Sequence, residues 1–82
     1  MAVADKVKAF LKIKGKDTAE LAEYLKISKQ ALSNKYYRDS FSAEDLIKIA
    51  DFLQCDLAFI DNTDRVNFDL SDIKAGEKNA SM

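Results

Sequence analysis

The chain has 82 residues, 13 Lys and Arg against 14 Asp and Glu, one cysteine and no histidine or proline. That length holds one domain with a small core, and a 48% hydrophobic content fits a folded rather than a disordered chain. The lone Cys55 excludes an internal disulfide framework and suits a reducing compartment. The absence of histidine removes the commonest acid–base group and metal ligand.

In chain order, a first helix is expected from about Val3 to Lys14, with Val3, Val7, Phe10 and Leu11 turned inward and Gly15 ending it in the left-handed conformation glycine favours. A second helix spans about Thr18–Leu25. Asp17 and Glu20 have the spacing of a capping box at its start, and Leu21, Ala22 and Leu25 share one face. After a short turn holding Ile27, Ser28 is placed to cap a third helix over Lys29–Tyr37, with Leu32 and Tyr36 on one face. Ile27 and Leu32 have the spacing of a hydrophobic staple. The other face of this helix presents Lys29, Gln30, Ser33, Asn34 and Tyr37, an inventory of amide, hydroxyl and cationic groups suited to base edges and phosphates.

A fourth helix runs from Ala43 to about Gln54. Ser42 caps it, Asp45 closes the box, and Phe41 with Leu46 repeats the staple. Its aliphatic residues lie on more than one face, which places it centrally in the core, with Cys55 as a small hydrophobe at its end. Beyond it the period changes. Leu57–Ile60 is a short apolar run, Asp61–Asp64 is turn-rich, and Val66, Phe68 and Leu70 alternate with polar residues. A β-hairpin of Leu57–Ile60 with Arg65–Leu70 is therefore expected. An isolated hairpin is marginal in water, so it must pack on the helices or pair with another chain. Residues 71–82 are polar and read as a flexible tail.

The stretch Thr18–Arg38, with Leu21, Ala22, Leu25, Ile27 and Leu32 on the buried positions and the small Ala22 where two helices cross, resembles the phage repressor/Cro-like (XRE-type) helix-turn-helix domains. The resemblance extends over about Val3 to Ile60 and implies a mainly α fold, a four- to five-helix repressor-like bundle with a C-terminal β-hairpin added. In many family members the segment equivalent to Leu57–Ile60 is a fifth helix, so that alternative stands beside the strand. Two positions depart from the family pattern: Lys26 replaces the usual turn glycine, and Lys35 stands where an apolar residue is usual, with Tyr36 available to fill that role.

The resemblance implies a sequence-specific, double-stranded DNA-binding transcriptional regulator, acting as a homodimer on a two-fold operator. Carried over residue by residue, base-reading positions fall on Lys29, Gln30, Ser33 and Asn34. Phosphate contacts fall on Thr18 and Ser28, aided by helix N-terminal amides, with Lys35, Tyr37 and Arg38 alongside. The organisation expected is a DNA-binding domain over 1–60, a hairpin over 57–70 as a dimerisation element, and the tail. No cofactor or metal is called for, and no effector is identified.

Charge distribution agrees with a polyanionic partner despite a net charge of −1. Residues 1–38 carry nine Lys/Arg against four Asp/Glu, a balance of +5, and residues 39–82 carry four against ten, a balance of −6. Attraction to phosphate acts over roughly 8 Å at physiological salt, so the local face decides. Lys6, Lys8, Lys12, Lys14 and Lys16 fit a solvated helix face as well as they fit direct phosphate contact.

Catalysis finds no support in any phosphate-cradling glycine loop, Cys cluster or metal-spaced carboxylate set, so a non-enzymatic protein is expected. No apolar run approaches the roughly 20 residues of a membrane span, and no signal-peptide apolar stretch stands near the N-terminus, so a cytoplasmic protein is expected. The rival class is a protein-interaction module on the same fold, antitoxin-like, with the acidic C-terminal half docking a basic partner.

Overall fold

Local chemistry starts three of the four helices. The computed structural model, which describes residues 2–73, has helices α1 (Val3–Ile13), α2 (Thr18–Leu25), α3 (Lys29–Arg38) and α4 (Ala43–Phe52). Strands β1 (Leu57–Ile60) and β2 (Arg65–Phe68) and a short 3₁₀ turn at Leu70–Asp72 follow. At α2 the Glu20 N–H donates to Asp17 Oδ1 at 2.8 Å and the Asp17 N–H donates to Glu20 Oε1 at 3.0 Å. At α4 Ser42 and Asp45 exchange the same pair of bonds, both at 3.0 Å. At α3 the Ala31 N–H donates to Ser28 Oγ at 3.0 Å. These bonds satisfy amides that a helix start leaves without a partner.

The cap of α1 is tertiary. Ala2 has no side-chain acceptor; its own N–H donates to Asp5 Oδ2 at 3.2 Å. The Ala4 N–H instead donates to Asp39 Oδ1 at 2.6 Å, a carboxylate 35 residues away in the turn after α3. Asp39 is thus both the left-handed end of α3, at φ 53°, and the acceptor that ties the start of α1 to it.

Chain reversals use left-handed residues. Gly15 has φ 70° after α1, where its missing Cβ removes the steric penalty, and Lys26 has φ 61° in the turn between α2 and α3. The Ile27 N–H reaches back to the Ala22 carbonyl at 3.1 Å, closing that turn so that α3 leaves at a fixed angle from α2.

The core joins all four helices: Val7 and Leu11 from α1, Leu21 and Ala22 from α2, Leu32 from α3, and Ile49 with Leu53 at α4. Leu21 and Leu32, the inward residues of the helix pair, are fully buried. Two residues expected inside are not. Val3 is 43% exposed and Phe10 36% exposed, and Ala4 is buried in their place. Packing of α1 on α3 selects the Ala4–Val7–Leu11 stripe, which leaves Val3 and Phe10 on its flank. There they line one side of an apolar groove with Leu46, Leu53 and Leu57.

The hairpin is present, and Leu57–Ile60 is a strand rather than a fifth helix. It pairs antiparallel in the register Leu57 with Phe68, Ala58 with Asn67, Phe59 with Val66 and Ile60 with Arg65. Phe59 and Phe68 meet edge to face, centroids 5.1 Å apart. The second strand ends at Phe68, two residues earlier than the alternation suggested. The Asp69 carboxylate accepts from the Ser71 N–H at 2.9 Å and the Asp72 carboxylate from the Asp69 N–H at 2.8 Å, converting Leu70–Asp72 into a turn against α4. Ser71 and Asp72, assigned from sequence to the tail, belong to that turn and Ile73 ends it; residues 74–82 of the tail lie outside the described residues.

At the hairpin tip the Asp61 carboxylate accepts from the N–H groups of Thr63 at 2.9 Å and Asp64 at 2.7 Å. Those bonds lower its pKa, the Thr63 bond being the larger cause. Arg65, which faces Ile60 beside the tip, forms an ion pair with Asp56, the residue that precedes β1.

Candidate nucleic-acid interface

The turn at Lys26 and the buried Leu21–Leu32 contact set which side of α3 faces solvent. With Leu32 inward, the 3.6-residue period puts Lys29, Gln30, Ser33 and Asn34 outward, and all four are exposed. Gln30 Nε2 donates to Asn34 Oδ1 at 3.3 Å, one helical turn on. The four expected base-reading residues therefore stand on one helix face, together with Tyr37, which is 90% exposed. Among these five residues and the exposed Arg38 at the helix end there is no carboxylate.

The residues expected at phosphates are less uniform. Ser28 is exposed, and its Oγ, occupied as acceptor by the Ala31 N–H, keeps its own hydroxyl hydrogen for an external acceptor. Thr18 is half-buried at the start of α2, its Oγ1 3.4 Å from the Tyr36 hydroxyl. Lys35 takes another direction. Its ammonium donates to Asp45 Oδ2 at 2.9 Å, on the first turn of α4, and both side chains are largely covered. The structure thus separates Lys35 from the outward set.

That ion pair explains how a lysine occupies a position the repressor-like pattern usually makes apolar. Burial opposes ionisation of Asp45, but the Ser42 N–H and the Lys35 ammonium together outweigh it and hold its carboxyl below the ordinary value. Tyr36 supplies the apolar packing that Lys35 does not, its ring centroid 5.7 Å from that of Phe41.

Two participants escaped the sequence reading. Asp45 was legible as a cap, but its bond to Lys35 spans ten residues and two helices. Lys8 of α1 places its Nζ 4.8 Å from the Tyr36 ring centroid, where five similar lysines gave no ground for choosing one. Cys55 sits half-buried beyond α4, and burial pushes its thiol pKa up, which suits a packing role.

Among the described residues no group of three or more His, Cys, Asp or Glu is placed to hold a metal ion, and no helix is long and apolar enough to cross a membrane. Comparison with curated proteins and with solved structures gives no match. The family model of the bacteriophage CI repressor helix-turn-helix domain matches residues 2–62, which contain α1 through the hairpin tip, and the chain belongs to that family of DNA-binding repressor domains.

Proposed function

We propose that the protein is a sequence-specific, double-stranded DNA-binding transcriptional regulator of repressor type that places α3 in the major groove. The observation that carries this reading is the outward face of α3: Lys29, Gln30, Ser33 and Asn34 exposed together, without a carboxylate among them. A helix of about 10–12 Å diameter fits a groove about 12 Å wide, and these side chains match the donors and acceptors of base edges there.

In this reading Lys29, Gln30, Ser33 and Asn34 contact bases, while Thr18, Ser28, Tyr37 and Arg38 contact phosphates. Lys35, expected among the phosphate contacts, is the weakest member of the set because Asp45 already neutralises it. The protein works without a cofactor, as a cytoplasmic homodimer. The exposed Phe59 (72%) and Val66 (59%), adjacent across the hairpin, supply the apolar surface for the second copy.

Electrophoretic mobility of a random-sequence duplex at low salt tests the reading. A shift that weakens steeply with added salt supports it. A protein that leaves duplex mobility unchanged at low salt would favour the interaction-module alternative, for which the carboxylates Asp56, Asp61, Asp64 and Asp69 around the hairpin are the natural docking surface.

A further inference from the structure

The five lysines at 6, 8, 12, 14 and 16 look alike in sequence, yet the fold separates them. Lys14, just past the end of α1, leans over the Phe10 ring of that helix, Nζ 6.0 Å from the centroid, and Lys16 over Phe52 of α4 at 5.7 Å. Lys8 alone reaches the helix-turn-helix pair among the lysine–ring contacts of the described residues, lying over Tyr36 of α3 at 4.8 Å. The hydroxyl of that tyrosine is in turn 3.4 Å from Thr18 Oγ1 at the start of α2.

We propose that Lys8, the Tyr36 hydroxyl and Thr18 Oγ1 form one binding site for a DNA backbone phosphate, with Lys8 supplying its charge. The inference rests on the duplex-binding reading above and adds to it a residue of α1.

A cation at this position strengthens the site electrostatically. Of the two hydroxyls, one donates to the other and the other keeps its hydrogen for a phosphate oxygen, but both are neutral. The capping box puts Asp17 and Glu20 at the same helix start, and their carboxylates, though bonded to backbone N–H groups, still repel an approaching anion. Lys35, the nearest cation in sequence to Tyr36, is engaged by Asp45 at 2.9 Å. Lys8 has no carboxylate partner among the described residues. The face of the Tyr36 ring attracts its ammonium electrostatically and holds it near the two hydroxyls. The Tyr36 ring thus contacts both Phe41 and Lys8.

The test is fluorescence anisotropy of a labelled duplex with the full chain across a salt series, comparing wild type with Lys8→Gln, Lys8→Arg, Lys16→Gln and Thr18→Val. Each phosphate neutralised contributes about 0.9 to the slope of log affinity against log salt. Lys8→Gln is expected to flatten the slope by about that amount and Lys8→Arg to keep it. Lys16→Gln, which removes the same charge elsewhere, is expected to leave the slope near wild type. Thr18→Val is expected to weaken binding at every salt concentration with the slope unchanged. Equal slopes for Lys8→Gln and Lys16→Gln, with the wild type binding duplex, overturn this site and leave the functional reading intact. A wild type that binds no duplex overturns both.

Discussion

Replacing Gln30 by alanine is the sharpest perturbation of the recognition surface. In the structure one Nε2–H of Gln30 donates to Asn34 Oδ1 at 3.3 Å. That leaves one N–H and the carboxamide oxygen, the pair needed to donate to N7 and accept from N6–H of a single adenine. The Asn34 bond favours one placement of the carboxamide and so lowers the ordering cost of binding. Such a bidentate contact is worth about 1–3 kcal/mol of discrimination, or about 5- to 150-fold between the right and wrong base pair. Gln30→Ala should therefore relax selection at one or two operator positions by that factor. Affinity for random duplex and the salt slope should both persist, because no cation is lost. The fold should persist as well, since Gln30 is exposed and alanine favours helix. Asn34→Ala should be non-additive with it, because each residue is the other's partner. The assay is selection of bound sites from a random duplex library by both proteins, followed by competition titration at each position. Equal stringency at every position would refute the assignment of Gln30 and the helix register behind it.

Three further outcomes are expected. Replacing Phe59 and Val66 by serine should leave helical content unchanged but lower the sedimenting mass at high micromolar concentration, with weaker operator binding; a wild type already monomeric there would contradict the hairpin's role. Lys26→Gly should raise stability by about 0.5–1 kcal/mol, because relief of the left-handed penalty exceeds glycine's entropic cost, and calorimetry should show a melting point higher by a few degrees. Asp45 has its folded pKa below its unfolded value of about 3.9, so its contribution is complete above pH 4 and is lost as pH falls through the folded pKa. Asp45→Asn should thus be less stable at pH 7 and show a shallower acid-side decline, read by denaturant midpoints from pH 7 to 2.5.

What was legible in the sequence was chemistry that acts within a helical turn. Asp17 with Glu20, Ser28 with Ala31, and Ser42 with Asp45 are three residues apart, and each pair bonds as its spacing suggests. The outward set on α3 followed from the same period once Leu32 was taken as buried. Tertiary choices were not legible. Val3, Phe10 and Ala4 fit either of two adjacent stripes on α1, and only packing on α3 decides between them. Leu70 continued the strand alternation, but an aspartate before it capped a turn instead. The bonds Ala4–Asp39 and Lys35–Asp45 and the Lys8–Tyr36 contact join residues with no periodic relation.

Selection of bound sites by the purified full-length protein from a random duplex library, at a fixed salt concentration, tests the central claim most directly. The account predicts enrichment of a defined, two-fold related sequence, bound far more tightly than random duplex at the same salt. Recovery of unenriched sequence after repeated rounds, or no recovery of duplex at all, would contradict it.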